Sequence, residues 1–341
     1  MKKILVIGGA GYIGTILINF LLSKNYNVVS YDNFIYEHQK TSKKTKDSRF
    51  KSVKKNICRK LKKNDFKNYD AVIVLAGLVG DPITKKYKSL SKLVNIKGIK
   101  NIINICKNID LRFIFVSTCS NYGFLKGKIA NEKTKLNPIS NYAKQKVEIE
   151  KYILSIKKNS KFKPVILRFS TAFGSSLRPR FDLTINEFVL RAYLKQTLEV
   201  YDHETWRPYC HLIDFSNIIY KCLIYKKNNI NYQVFNVGSN HNNYRKIDIV
   251  KKIKKFIPNF KYKIVKNSVD PRDYRVSFNK LKKFFKIKKL TSVDFGEQYQ
   301  DETGVGGFET VYPAMDPGAS YLATTITFPE SGLTSVFSGT T

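Results

Sequence analysis

The sequence predicts a doubly wound α/β protein, a parallel sheet covered by helices on both faces, with a smaller α/β lobe in the second half. Three observations predict it. Short apolar runs alternate with helical patterns through the first 170 residues. The first run opens at once into a glycine-rich turn, and the second ends on an acid. This is a Rossmann-type arrangement, in which ligands collect beyond the carboxyl ends of the strands.

Lys3 to Ile7 reads as a buried strand, Gly8-Gly9-Ala10-Gly11-Tyr12-Ile13-Gly14 follows it, and Ile16, Leu17, Phe20 and Leu21 mark a helix. Asn27 to Tyr31 is a second strand ending at Asp32, and Phe50 to Val53 a third. A basic, poorly patterned helix is expected near Cys58 to Phe66. Ala71 to Leu75 is a buried strand that runs into Ala76-Gly77-Leu78-Val79-Gly80-Asp81-Pro82, where Asp81 reads as a loop cap in preference to a sugar contact. Leu90 to Cys106 is helical, Arg112 to Ser117 a strand, Tyr142 to Ile156 a helix, and Pro164 to Phe169 the closing strand. Gly8, Asp32, Ala76 and Thr118 stand at strand ends and should converge on one cleft.

Beyond that point short strands (Leu198 to Tyr201, Tyr209 to Leu212, Val234 to Val237, Tyr262 to Val265) mix with helices near Asp182 to Leu194, Phe215 to Tyr225 and Ile247 to Phe256. The chain therefore divides into a nucleotide-binding domain over 1–170, a lobe over 171–296 partly interleaved with it, and a tail over 297–341. Lys289 is the last basic residue, and the final 52 residues hold seven acids but no Lys, Arg or His. So sharp a break suggests a segment of different origin; the bland alternative is an ordinary mobile tail.

The glycine loop carries the first chemistry. Glycines let the backbone approach a pyrophosphate, and the helix start supplies free N–H groups and a positive dipole end. Asp32 accepts hydrogen bonds from a ribose 2′-hydroxyl and repels a 2′-phosphate, which favours NAD over NADP. Lys2-Lys3 before an apolar run imitates a leader peptide, but cleavage there would destroy the nucleotide site, so an unprocessed start is expected.

Composition bounds the rest. The longest apolar stretch, Ala71 to Gly80, is too short to span a bilayer, so no membrane insertion is expected. Five scattered cysteines suit a reducing, cytoplasmic setting and suggest neither disulfides nor a metal site. The net charge of +35 invites a nucleic-acid reading, but only 11 of the 61 basic residues are Arg and no nucleic-acid motif accompanies them. A solvated basic surface that aids capture of anionic substrates is the reading adopted.

Tyr142 and Lys146 stand four residues apart on one face of their helix. A lysine charge beside a phenol favours the phenolate, fitting Tyr142 for proton transfer near neutral pH. With Gly8-x-x-Gly11-x-x-Gly14, Asp32 and Thr118 before Tyr122-Gly123, the pair resembles the extended short-chain dehydrogenase/reductases that modify nucleotide sugars. Ser117 to Gly123, Leu177 to Leu183, Trp206 to Asp214 and Asp270 to Val276 resemble a bacterial epimerase/dehydratase subgroup of surface-polysaccharide pathways, close to sugar 4-epimerases and nucleotide-heptose 4-dehydrogenases. The resemblance runs from residue 2 to about Gly296.

The resemblance implies roles. Tyr142 would take the proton of a sugar 4-hydroxyl as C4 is oxidised, Lys146 would hold the cofactor ribose and lower the Tyr pKa, and Thr118 would bond the same sugar oxygen. NAD would lie against Gly8, Gly11, Tyr12, Ile13, Gly14, Asp32, Asn33, Asn56, Ile57, Leu75, Ala76 and Gly77 besides Tyr142 and Lys146. Arg207 would grip a substrate diphosphate with Arg272 or Arg275; Arg178, Arg180 and Asn186 would add substrate contacts, with ordinary interdomain pairing as their alternative. A homodimer would pack Leu90 to Cys106 and Tyr142 to Ile156 against their copies.

Departures narrow the reading. Asn56 replaces a frequent adenine-binding Asp, and Ile7 replaces a Thr. Cys119 and Ser120 stand where 4,6-dehydratases carry an Asp-Glu acid/base pair, which disfavours loss of water. His211 reads as a core histidine, and Cys119 lacks the partner a nucleophile needs. The expected activity is NAD-dependent epimerisation at C4 of a nucleotide-diphosphate sugar. The alternatives are a 4-dehydrogenase with net redox change and a non-catalytic nucleotide-binding protein.

Overall fold

Seven parallel strands form the central sheet of this computed structural model, which describes residues 2–36, 45–158, 161–225, 228–266 and 272–293. The acidic tail over 297–341 lies outside the described residues. β1 (Lys3–Ile7) leads through the glycine turn into α1 (Tyr12–Ser23), β2 (Asn27–Asp32) and β3 (Phe50–Lys54). β4 (Ala71–Val74) follows, then α2 (Asp81–Lys86), α3 (Lys88–Lys92) and α4 (Ile99–Cys106), with a wide π turn at Leu93–Gly98 joining the last two. β5 (Leu111–Thr118), β6 (Phe124–Ala130), α5 (Asn141–Ser155), β7 (Phe162–Phe169) and β8 (Thr171–Phe173) complete the first part.

The second lobe holds α6 (Thr184–Tyr193), β9 (Leu198–Tyr201), β10 (Trp206–His211), α7 (Leu212–Ile224), β11 (Gln233–Val237), β12 (Asn243–Arg245), α8 (Lys246–Phe256), β13 (Tyr262–Val265), β14 (Asp273–Val276) and α9 (Asn279–Phe285). The sheet order is β11-β7-β5-β4-β1-β2-β3. The order therefore reverses beside β1, where Ile7 pairs with Tyr31 on one side and Val74 on the other. That switch point opens a crevice at the carboxyl ends. β11 returns to the main sheet against β7, so the lobes are interleaved.

Alternation along the strands builds two cores. Ile4 and Val6 face the layer of Leu17, Leu21, Phe215 and Ile219, whereas Leu5 and Ile7 face Ile102, Ile103, Ile149 and Ile153. Each fully buried Leu, Ile or Phe contributes about 1.5–3 kcal/mol against its exposed state. A third core around Phe188, Val200, Tyr209 and Ile249 closes the second lobe.

One expected element is absent. Between Cys58 and Phe66 there is a single 3₁₀ turn, Lys63–Asp65, and no α-helix. The stretch has no helical apolar period; instead Leu61 and Phe66 are buried, and Asp65 pairs with Lys55 and accepts the Lys62 N–H at 2.8 Å. Conversely, α2, β6, β8, β12, β14 and α9 are short elements whose pairing is set by tertiary contact, as in the parallel and bulged match of β14 to β6.

Behind the cleft lies a buried polar network. Glu150 on α5 meets Arg168 on β7 at 2.6 Å, each almost wholly excluded from water. The carboxylate also accepts from Asn121 Nδ2 at 2.8 Å and from Ser117 Oγ. Arg168 donates to the Tyr122 hydroxyl at 2.9 Å, and Tyr122 donates to Asn236 Oδ1 at 2.7 Å. Removing one partner of such a pair leaves a bare charge in the interior, at a cost of about 3–5 kcal/mol. Glu150→Gln should therefore lower the unfolding free energy by about that amount in urea titrations, and Glu150→Leu combined with Arg168→Met should lose far less than the two single changes added.

Candidate active site

The glycine turn brings backbone against backbone. Gly8 has φ +86°, and a Cβ on it would stand 2.6 Å from the Ala76 nitrogen at the end of β4. A Cβ on Gly14 would fall 2.5 Å from the Gly9 carbonyl oxygen, so α1 can start tight against its own loop. Asp32 reaches back over this turn. Its carboxylate accepts the Ala10 N–H at 3.1 Å and the Phe34 N–H at 2.9 Å, fixing it beside the α1 N-terminus. Gly11 is the N-cap of the helix and supplies no side-chain cap, so the N–H groups of Tyr12 and Ile13 in the first turn lack intrahelical acceptors, as at helix starts that bind anions.

Other expected cofactor residues divide. Leu75, Ala76 and Gly77 form the opposite wall, where Leu75 and Ala76 N–H both donate to the Ile7 carbonyl. The Asn33 amide oxygen accepts the Ile35 N–H at 3.3 Å, and the Asn56 amide oxygen accepts that of Cys58 at 2.9 Å. Ile57 is buried against Gly98. Asn56 and Ile57 thus shape the turn after β3.

α5 carries Tyr142 and Lys146. Ser140 caps it by accepting the Ala143 N–H at 3.2 Å, which puts Tyr142 in the first turn at the positive end of the helix dipole. Lys146 is buried and donates to the Val116 carbonyl of β5 at 2.8 Å, with its ammonium 4.7 Å from the Phe115 ring and 5.8 Å from that of Tyr142. Burial pushes Lys146 down to about 8, against the opposing pull of Glu150. Burial also raises Tyr142 above the ordinary phenol value, while Arg180 works the other way. The protein alone therefore does not lower the phenol as the Tyr/Lys spacing suggested, because the Lys146 charge is directed at a carbonyl. Thr118 is buried two residues beyond Val116, and its Oγ1 accepts the Ser120 N–H at 3.1 Å, leaving its hydrogen free to donate.

Asn95, in the π turn, positions the facing loop. Its amide accepts the Leu78 N–H at 2.8 Å, donates to the Leu78 carbonyl at 2.9 Å and donates to Gln145 of α5 at 2.8 Å. Asp81 is the first residue of α2 and not its cap; it pairs with Arg272 at 2.6 Å, while its other oxygen is buried with no protein partner. Arg207 is buried, donates to the carbonyls of Trp206 (2.8 Å) and Arg272, and lies 5.2 Å from the Tyr274 ring. Tyr274 shares a hydrogen bond with Ser120 at 3.1 Å. These contacts bring β10, β14 and the Thr118 turn together at one end of the crevice.

Arg180 is held by Asp182, and Arg178 stacks 4.3 Å over Tyr36. The Asn186 amide is occupied within the fold, bonding the Tyr12 hydroxyl at 2.8 Å, the Arg180 carbonyl at 2.9 Å and the Gly174 N–H at 3.2 Å. His211 is half-buried at the start of α7: desolvation drives it down to about 4, so it is neutral, and its Nδ1 accepts the Ile213 N–H. Cys119 is buried, donates to the Arg168 carbonyl at 3.2 Å, and has its thiol pushed far up by burial. It is no nucleophile.

The family model for the NAD dependent epimerase/dehydratase family matches residues 4–238. The chain belongs to that family. Among relatives, a protein of Bacillus subtilis (strain 168) named an uncharacterized UDP-glucose epimerase, YtcB, is 28% identical over 222 residues, 62% of this chain and 69% of that one. A UDP-glucose 4-epimerase of Rhizobium leguminosarum bv. trifolii is 26% identical over 184 residues, 52% of this chain and 54% of its own length. The crystal structure of UDP-glucuronic acid 4-epimerase from Bacillus cereus, with UDP-glucuronic acid and NAD, superposes with a TM-score of 0.78 at 24% identity, covering 92% of this chain and 98% of that one.

As a family member the protein is an NAD-dependent enzyme, and its crevice fits the cofactor: a glycine cradle too close-packed for side chains, an acid fixed at its rim, and a buried lysine with spare N–H donors. NAD, when bound, would supply a hydride acceptor. The protein supplies a phenol at a helix start, a donor at Thr118 and guanidinium groups at one end. Glu150, Asn95, Tyr36, Ser176 and Tyr274 escaped the sequence reading; only Glu150 carried a signal, standing on the same helical face as Tyr142 and Lys146.

The buried ammonium has a consequence for stability. With a folded value near 8 against an unfolded value of 10.5, Lys146 costs the fold on the order of 3 kcal/mol at pH 7, where both states are protonated. That cost fades as pH rises through 8 towards 10.5, since the folded state releases its proton first. Wild-type stability should therefore gain on Lys146→Met across this window in urea titrations, and a difference independent of pH would contradict it.

Proposed function

We propose that the protein is a nucleotide-sugar 4-epimerase: it oxidises C4 of a nucleoside-diphosphate sugar with bound NAD and reduces the 4-keto sugar on its other face. The observation that carries this reading is the setting of Tyr142 and Lys146 on α5 beside Thr118, with no carboxylic acid after Thr118. Cys119 is sealed in the core and Ser120 is engaged with Tyr274, so neither serves as the acid or the base that removal of water from C5 and C6 demands. In this reading Arg207 and Arg272 hold the substrate diphosphate, the latter exchanging its pairing with Asp81 for the ligand. Synthesis of a surface polysaccharide in the cytoplasm is the setting this chemistry suits, and the five free cysteines agree with a reducing compartment.

Purified protein incubated with NAD⁺ and UDP-, GDP-, CDP- and dTDP-sugars should give an isobaric product with altered chromatographic retention. A product lighter by two hydrogens, with NADH accumulating, would instead assign a 4-dehydrogenase, and loss of water would refute the reading of Cys119 and Ser120. Tyr142→Phe should reduce turnover about 10²- to 10⁴-fold with little change in stability.

The same reading includes a homodimer. α4 and α5 lie side by side, joined by Lys100–Glu148 at 2.6 Å and by Tyr152 donating to Asn104 at 2.7 Å, and together make one outer face. Light scattering at low micromolar concentration should give twice the chain mass; a strict monomer would exclude this assembly.

A further inference from the structure

The segment between β8 and α6 crosses the opening of α1 and is laced to it. The Tyr12 hydroxyl donates to the Gly174 carbonyl at 2.7 Å. Ser176 Oγ lies 2.8 Å from both the Tyr12 carbonyl and Thr15 Oγ1, and accepts the Arg178 N–H at 3.3 Å. Asn186 ties the same segment to Tyr12 from the far side. A strap from the second lobe is thus bound to the helical turn whose N–H groups form the phosphate cradle.

The strap delivers charge. Arg180 is neutralised by Asp182, with Nε to Oδ1 at 3.0 Å. Arg178 has no carboxylate within ion-pair distance among the described residues and is held against Tyr36, four residues beyond the ribose-binding Asp32. Burial works against the Arg178 charge, Arg180 adds to that, and Tyr36, Asp182 and Asp32 offset only part of it. Two guanidinium groups with one ion-paired carboxylate leave a net positive charge on the strap, which is itself bonded to the first turn of α1. Arg207 and Arg272, by contrast, are joined to Trp206 and Asp81.

We propose that Arg178 is a ligand of the cofactor pyrophosphate, closing over it from the strap side so that retention of NAD depends on the second lobe. The assignment departs from the expectation that Arg178 contacts substrate. It rests on the NAD-binding crevice described above and deepens the epimerase reading, because an enzyme that returns its reducing equivalent to the same sugar must not release its cofactor between half-reactions.

NAD content of the purified protein and the rate of NAD⁺ release during a chase with excess ADP-ribose test this without any turnover. Arg178→Gln should release NAD⁺ at least tenfold faster than wild type, and Arg178→Lys should fall between them. Arg207→Gln should leave the rate unchanged. Melting temperature without added nucleotide controls for folding, and Arg178→Lys serves as the test variant if Arg178→Gln does not fold. A wild-type release rate retained in Arg178→Gln, or in Arg178→Lys where that variant stands in, overturns the proposal and returns Arg178 to the substrate. Failure of wild type to bind NAD⁺ at all would instead overturn the epimerase reading.

Discussion

The buried ion pair between Glu150 and Arg168 is the constraint on which the site depends. Glu150, Lys146 and Tyr142 are successive residues at i−4 spacing, so fixing the first fixes the rotation of α5 and hence the height and direction of the other two. Burial opposes the Arg168 charge, and the Glu150 carboxylate outweighs it, so the guanidinium stays charged in the interior. A buried pair is seldom the most stabilising way to fill such a space. Here its partners explain its use: Ser117 and Asn121 tie it to the turn that carries Thr118, and Tyr122 ties it to β11 through Asn236.

A second constraint acts across the crevice. Gly8 and Ala76 approach so closely that β1 and β4 share one opening, and Asn95 clamps the loop beyond Ala76 to α5 through Gln145. The glycine turn, α5 and the loop at Leu78 are therefore parts of one polar frame. The wide turn at Leu93–Gly98 belongs to this frame: a regular α-helix would rotate Asn95 relative to Leu78 and break a pair of hydrogen bonds that satisfy one residue's entire backbone.

Much of this was legible in the sequence, for physical reasons. Parallel strands buried on both faces are written as short, largely apolar runs, and β1, β2, β4, β5 and β7 were legible as such even where Ser30, Arg112 or Lys163 interrupts them. The glycine turn before α1, the strand ending at Asp32 and the helix carrying Tyr142 and Lys146 were readable as elements because each depends on local spacing. The Cys58–Phe66 region was misread because a basic stretch without apolar period gives no local signal, and its course is decided by Leu61, Phe66 and Asp65 contacting distant residues. β6 and β14 were missed for a similar reason, since they exist only through each other. Asp81 was read as a cap because its partner, Arg272, lies far along the chain. The strap was seen only as three arginine-rich or polar positions; its attachment to Tyr12 and Thr15 has no sequence periodicity at all.

The same distinction bears on how Tyr142 works. Spacing alone suggested that Lys146 lowers the phenol, yet the folded protein directs the ammonium at the Val116 carbonyl and desolvates the phenol. A desolvated phenol loses its proton more readily where positive charge lies near it, and three sources stand near Tyr142: the dipole of α5, at whose first turn it sits, the field of Arg180, and the Lys146 ammonium 5.8 Å from its ring. Arg180 is carried by the strap, the strap is laced to the cofactor helix, and its charge is partly spent on Asp182. Arg180 therefore couples the surroundings of Tyr142 to the strap and, through the strap, to the start of α1.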